Sequence, residues 1–251
     1  ALAAQQPPGN GQIASLSRLR GSPHPQSGRA VQESSETLLA ALAPSPSAMN
    51  QESSTPPHEA GVATRKRPRP GERRTQILQT LATMLEEPGS ERITTAALAG
   101  RLEVSEAALY RHFASKAQMF EALIEFIESS LFTLFNQITQ SGGDGHDHAR
   151  KMLAVLLQFA ERNPGMTRVM VGDALVFEHE RLSARMVQLF DRIEAQLRQS
   201  LRQSADARGS TTATVDAQIL SSALVSLAIG RLQRYARSGF RRSPTEHLDS
   251  T

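Results

Sequence analysis

Three helix-start signals fall close together in the middle of the chain and constrain it more than any other feature. Thr94 or Thr95 can cap a short helix over Ala96 to Leu102, in which Leu98 and Leu102 stack four apart. Ser105 can cap a second helix, Glu106 to His112, and Glu106 in its first turn suits the positive helix end. Ser115 opens a longer helix carrying Phe120, Leu123, Ile124, Ile127 and Leu131. Ahead of them, Ile77, Leu78, Leu81, Ala82 and Leu85 recur on one helix face until Pro88-Gly89-Ser90 stops it. Residues 72–131 therefore predict a three-helix head with a connecting fourth helix.

The rest of the chain divides around this head. Residues 1–64 are rich in Pro, Ser, Gln, Ala and Gly, a composition that buries too little apolar surface to offset ordering entropy. They predict a disordered tail, with a transient helix at Val31 to Ala43. Met49, just ahead of a short polar lead, is a candidate start of the native chain. After the break at Gly142-Gly143-Asp144-Gly145, helices are predicted at Ala149 to Arg162, Met166 to Val171, Leu175 to Ser204 (one helix or two) and Thr214 to Arg237. No segment shows period-two alternation between hairpin turns, so the fold class is all-α, with 132–251 as a second helical domain.

Charge placement says more than the formal net of +3. Arg65, Lys66, Arg67, Arg69, Arg73 and Arg74 put six cations and one carboxylate into residues 65–74, whereas Thr75 to Leu131 has four cations against eight carboxylates. The basic character is an arm before the first helix, suited to following a phosphate backbone or to remaining a solvated linker. The chain has no Cys, which excludes a disulfide framework, a thiolate metal site and a Cys nucleophile. No apolar run approaches a bilayer's span. There is no phosphate loop after a strand, no metal-spaced His pair and no nucleophile elbow, so neither enzyme nor cofactor is expected. His146 and His148 form a weak metal tract or belong to a solvated loop.

A head of this kind works by holding a second helix against the first and presenting its N-terminal residues to the major groove. Ala99 and Leu102 can pack on Val104, Ala108 and Leu109, leaving Ser105, Glu106, Ala107, Tyr110, Arg111 and His112 as candidates to face DNA. Thr94 and Thr95 can offer groups at a helix start to a phosphate, and Lys116 can hold a second. The plain alternatives are a core Tyr110, a capping Glu106 and solvated Arg111 and His112.

The run Val104 to Phe113, with Ser115-Lys116 and Phe120, resembles the DNA-binding head of the TetR family. Further runs, Arg92-Ile-Thr-Thr-Ala96, Leu123-Ile-Glu-Phe-Ile-Glu128, Glu161-Arg-Asn-Pro-Gly165 and Arg192-Ile-Glu-Ala-Gln-Leu-Arg198, resemble its nucleoid occlusion factors, so that the likeness extends from about Gly71 to the end. The resemblance implies a TetR-like fold and a homodimer, open to higher-order assembly, on palindromic double-stranded chromosomal DNA in the nucleoid. It implies antagonism of the division protein FtsZ, whose acidic tail would dock around Phe126, Arg162 and Asn163. On the residues alone, Asn163-Pro164-Gly165 can equally be a helix stop and Phe126 a core side chain. It also implies a further short helix beyond Thr251, so 132–251 is expected to lack part of the dimer surface. Where many relatives carry Gly in the helix-turn-helix turn, this chain has Glu103, and a left-handed backbone there costs a non-glycine roughly 1 kcal/mol.

Val215, Ile219, Leu220, Leu224, Leu227 and Leu232 give the last helix a broad apolar surface, with small residues between them. Pairing it with the Leu175 to Leu201 region across a two-fold predicts a dimer interface at Leu189, Ile193, Leu220, Leu224 and Leu227. The rival function is a TetR-type repressor released from DNA by a small ligand, in an apolar pocket lined by Met152, Leu156, Phe159, Met166 and Phe177.

Overall fold

The computed structural model describes residues 72–87 and 92–248. The tail, its Val31 to Ala43 helix, Met49 and the arm cations Arg65, Lys66, Arg67 and Arg69 lie outside the described residues. Among these described residues eight α-helices follow one another: α1 (Glu72–Glu86), α2 (Thr95–Arg101), α3 (Glu106–Tyr110), α4 (Lys116–Gln140), α5 (Gly145–Arg162), α6 (Pro164–Met170), then, after a 3-10 turn (Asp173–Leu175), α7 (Glu180–Ala207) and α8 (Ala213–Arg237). There is no strand among the described residues.

Local chemistry sets the helix starts. Thr94, Ser105 and Ser115 each accept a backbone N–H from three residues on, at 3.1, 3.3 and 3.2 Å. The cap of α2 is thus Thr94, and Thr95 is its first helical residue. Asp144 caps α5 in the same way at 2.8 Å, so that helix begins at Gly145, inside the glycine-rich stretch read from sequence as a break. His146 and His148 therefore belong to its first turns: His146 meets the Ser204 hydroxyl at 2.8 Å and His148 the Ser141 carbonyl at 3.2 Å. Among the described residues no three metal-ligating side chains come together. Pro164 opens α6, where its missing N–H has no partner to lose.

One apolar core runs through head and body. Ile77, Leu81 and Leu85 of α1, Leu98 of α2, Leu109 of α3 and Phe113 close the head around Phe120 and Leu123 of α4. Further along α4, Leu131 and Phe135 enter the core shared with Met152, Leu156 and Phe159 of α5 and with Leu182, Leu189 and Ile193 of α7. α7 and α8 form an antiparallel hairpin, with Gln218 bridging Glu194 and Arg198.

This packing corrects the expected dimer surface. Leu189 and Ile193 are fully buried within the chain, on the side of α7 that faces its own core, and are not available to a partner. Leu220 and Leu227 are exposed, Leu224 is half-buried, and Val215 and Ile219 are 58% and 65% exposed. α8 is also long and apolar enough, by length and composition, to cross a membrane, which the sequence reading did not allow for. It is amphipathic in its setting: Ala217, Ser221, Val225, Ala228 and Leu232 pack inward and the apolar stripe lies outside.

One of the two closest glycine contacts among the described residues joins head to body. A Cβ on Gly165 would stand 2.0 Å from the carbonyl oxygen of Ala82, so α6 crosses α1 where only glycine fits. Next to it, the Glu86 carboxylate accepts the Gly165 N–H; burial pushes that carboxyl above its usual range, against the hydrogen bond's pull. Alanine is the better helix former, so the clash alone decides the sign of Gly165→Ala. It should destabilise the protein by about 1–3 kcal/mol, read as a lower thermal midpoint. Gly100→Ala, where an added Cβ meets nothing within 4 Å, should leave the midpoint unchanged or raise it.

Candidate functional site

The turn from α2 to α3 is built around Glu103, whose backbone is left-handed at φ 54°. Its N–H donates to the Gly100 carbonyl at 3.1 Å and that of Val104 to Ala99 at 3.0 Å, closing α2. The backbone therefore takes the conformation glycine favours without a glycine. Across the turn, the Thr95 hydroxyl donates to the Glu106 carboxylate at 2.6 Å and ties the starts of α2 and α3 together. α3 ends at Tyr110, two residues earlier than expected, and the chain turns through Arg111 and His112 as the Leu109 carbonyl accepts both His112 and Phe113 N–H groups.

Ser105, Glu106, Ala107, Tyr110 and Arg111 form one exposed surface, with Tyr110 at 46%. Thr94 lies exposed at the start of α2, and Thr95 is half-buried beside Glu106. His112 is half-buried, and its carbonyl accepts the Arg74 guanidinium, which also stacks over the Phe113 ring at 4.1 Å. Arg74, counted with the arm, thus fastens α1 to the end of the recognition helix. Arg73 bonds Gln76 at 2.5 Å. Lys116 is likewise engaged: its ammonium pairs with Glu178 of the body, both side chains largely buried, and lies 5.8 Å from the Phe120 ring centroid. Sequence gave no sign of that pairing, because the partner is 62 residues away.

An open groove of about 200 Å³ lies between α1, α4 and the turn from α5 to α6. Leu78, Leu123, Phe126 and Met166 supply apolar wall, and Thr75, Gln79, Glu86 and Asn163 its polar edges. Phe126 is half-buried there. Asn163 is 4% exposed and donates from its amide to the Phe159 carbonyl at 2.8 Å, so it shapes the turn. Arg162 beside it is exposed. The α1 wall of the groove was missed in the sequence. Its only signal was Leu78 next to Ile77, an apolar stripe wider than the head core requires.

The residues offered for a small-ligand pocket do not share one. Met152, Leu156 and Phe159 are sealed in the core, Phe177 is 64% exposed, and only Met166 borders the groove.

Comparison with known proteins gives one answer at two levels. Residues 77–123 match the family model described as bacterial regulatory proteins, tetR family, and residues 146–251 the SlmA-like model described as tetracyclin repressor-like, C-terminal domain. The chain is 52% identical over 178 residues to the nucleoid occlusion factor SlmA of Idiomarina loihiensis, covering 71% of this chain and 90% of that protein. It is 53% identical to the SlmA of Photobacterium profundum, covering 70% and 90%. Among solved structures, a TetR-like transcriptional regulator from Rhodococcus sp. RHA1 superposes with a TM-score of 0.58 at 19% identity, covering 74% of this chain and 95% of that one. A TetR/AcrR regulator from Thermobifida fusca gives 0.55 at 19% identity, covering 72% and 94%. This chain belongs to the SlmA family of nucleoid occlusion factors, DNA-binding regulators with the TetR fold.

Proposed function

We propose that two copies of this protein bind a chromosomal palindrome and, from that DNA, antagonise FtsZ assembly, so that division is withheld over the nucleoid. The observation that carries the reading is the groove, because its walls come from both the head and the body. Any segment seated between Leu78, Phe126 and Met166 touches the same α1 that Arg74 fastens to the recognition helix. Occupancy of DNA and occupancy of the groove then bear on one element, which gives two sites a physical means of coupling. Phe126 offers the apolar contact, Asn163 sets the turn, and the exposed Arg162 supplies a charge for an acidic tail.

On the DNA side, Ser105, Ala107, Tyr110 and Arg111 take base and phosphate contacts, and Thr94 with the end of α2 meets the backbone. Glu106 supports α3 through Thr95. Lys116 reaches phosphate only by leaving Glu178. The exposed stripe of Val215, Ile219, Leu220 and Leu227 on α8 pairs with its copy across a two-fold, which sets the two heads on neighbouring half-sites.

FtsZ sedimentation with the protein, with and without a selected palindrome, tests the whole reading. Less FtsZ should pellet only when specific DNA is present, and no DNA-dependent change removes the division role. Release of DNA by a small molecule in place of that effect would favour a metabolite-responsive repressor. Tyr110→Ala should weaken specific DNA binding about tenfold, a loss of roughly 1–2 kcal/mol, with an unchanged thermal midpoint because the ring is half in solvent. Unchanged affinity would show that the ring is not a DNA contact.

A further inference from the structure

A second set of contacts lies close to Asn163. Glu161, two residues earlier, accepts hydrogen bonds on its carboxylate from the Ser243 hydroxyl and, at 2.8 Å, from that of Thr245, while its carbonyl accepts the Tyr235 hydroxyl at 3.0 Å. Burial first, and then the carboxylates of Glu161 and Glu86, push the Tyr235 phenol up to about 12, so it stays a donor at any working pH. These bonds fold the segment after α8 back onto the end of α5. Ser238 accepts the N–H groups of Arg241 and Arg242 at 3.1 and 3.0 Å, and Phe240 lies against Tyr235 with ring centroids 5.2 Å apart.

The fold-back makes a second pocket, about 260 Å³, lined by Arg231, Arg234, Arg242, Ser243, Glu246 and His247. Arg231 is committed to its floor, donating to the carbonyls of Pro244 at 3.0 Å and Glu246 at 2.7 Å. Arg234 and Arg242 are exposed, and among the described residues neither guanidinium has a carboxylate within salt-bridge distance. The one lining carboxylate, Glu246, lies 3.5 Å from His247. Residues 231–245 contain five arginines and no acid.

We infer that this arginine pocket is a second subsite for an acidic peptide whose apolar part lies in the groove, the chain passing over Arg162 from one to the other. The inference rests on the reading of the groove as the FtsZ site. Continuity supports it, since Ser243 lines the pocket and bonds Glu161, while Asn163 lines the groove. An extended peptide advances about 3.3–3.6 Å per residue, so a few residues bridge the two. Guanidinium forks match carboxylates in geometry as well as charge. DNA is disfavoured as occupant because of position. The groove runs along α1 from Thr75 to Glu86, but the pocket is lined by residues between Arg231 and His247 alone, and no residue of the recognition segment, Ser105 to His112, lines either.

The test is a cycle between protein and peptide, on the DNA-bound protein. Its probes are an FtsZ C-terminal tail peptide and the same peptide with its carboxylates replaced by amides. The wild-type protein should bind the amide peptide about tenfold more weakly. Arg234→Ala with Arg242→Ala should lose about the same for the acidic peptide, and should no longer distinguish the two peptides. Its palindrome affinity and thermal midpoint should be unchanged. A double variant that still distinguishes the peptides as the wild type does overturns the subsite while leaving the groove reading intact. A double variant that loses DNA affinity instead makes the pocket a phosphate site and overturns it too. Failure of the wild type to bind either peptide removes the groove reading and this inference with it.

Discussion

The close crossing of α6 over α1 is the contact on which the rest of the structure depends. With Gly165 against the Ala82 carbonyl, two helices from different parts of the chain approach at backbone distance. The Glu86 carboxylate adds a hydrogen bond to the same glycine. The groove opens beside that junction, with Ala82 and Glu86 of α1, Phe126 of α4 and Met166 of α6 among its walls. A larger residue at 165 would shift α1, and with it both the groove and the seat of the recognition helix.

Two further contacts hold the head in place, and both use cations that a DNA-binding surface would otherwise present. Arg74 is spent on the His112 carbonyl and the Phe113 ring, at the last turn of the recognition segment. Lys116 is spent on Glu178, just after the 3-10 turn of the body. The described part of the head is therefore poor in free positive charge on the surface proposed to face DNA, with Arg111 the exposed cation on the recognition segment. That agrees with the charge count of Thr75 to Leu131, acidic on balance.

How much could be read beforehand followed the range of the interactions. Helix starts at Thr94, Ser105 and Ser115 were legible because a capping hydroxyl and its N–H are three residues apart. Asp144 gives the same signal, but the glycines around it masked the cap. The left-handed turn at Glu103 was legible only through the family's glycine. Leu189 and Ile193 were placed at a dimer surface and Leu220 and Leu227 with them, since one apolar periodicity describes both a core face and a partner face. Only the packing of α7 on α4 and α5 separates the two pairs. Phe126 and Asn163 were named through resemblance, but the groove they border also takes its wall from α1, whose approach to Gly165 at Ala82 is a contact between residues far apart in sequence. The arginine pocket depends likewise on Glu161 gathering Ser243 and Thr245.

If head and groove share α1, their ligands must influence one another equally, since coupling free energy is reciprocal. The direct measurement is palindrome affinity by fluorescence anisotropy with and without saturating FtsZ tail peptide, paired with tail affinity with and without saturating palindrome. The account predicts that each ligand tightens the other by the same factor. Palindrome affinity indifferent to the tail, and tail affinity indifferent to the palindrome, would contradict it.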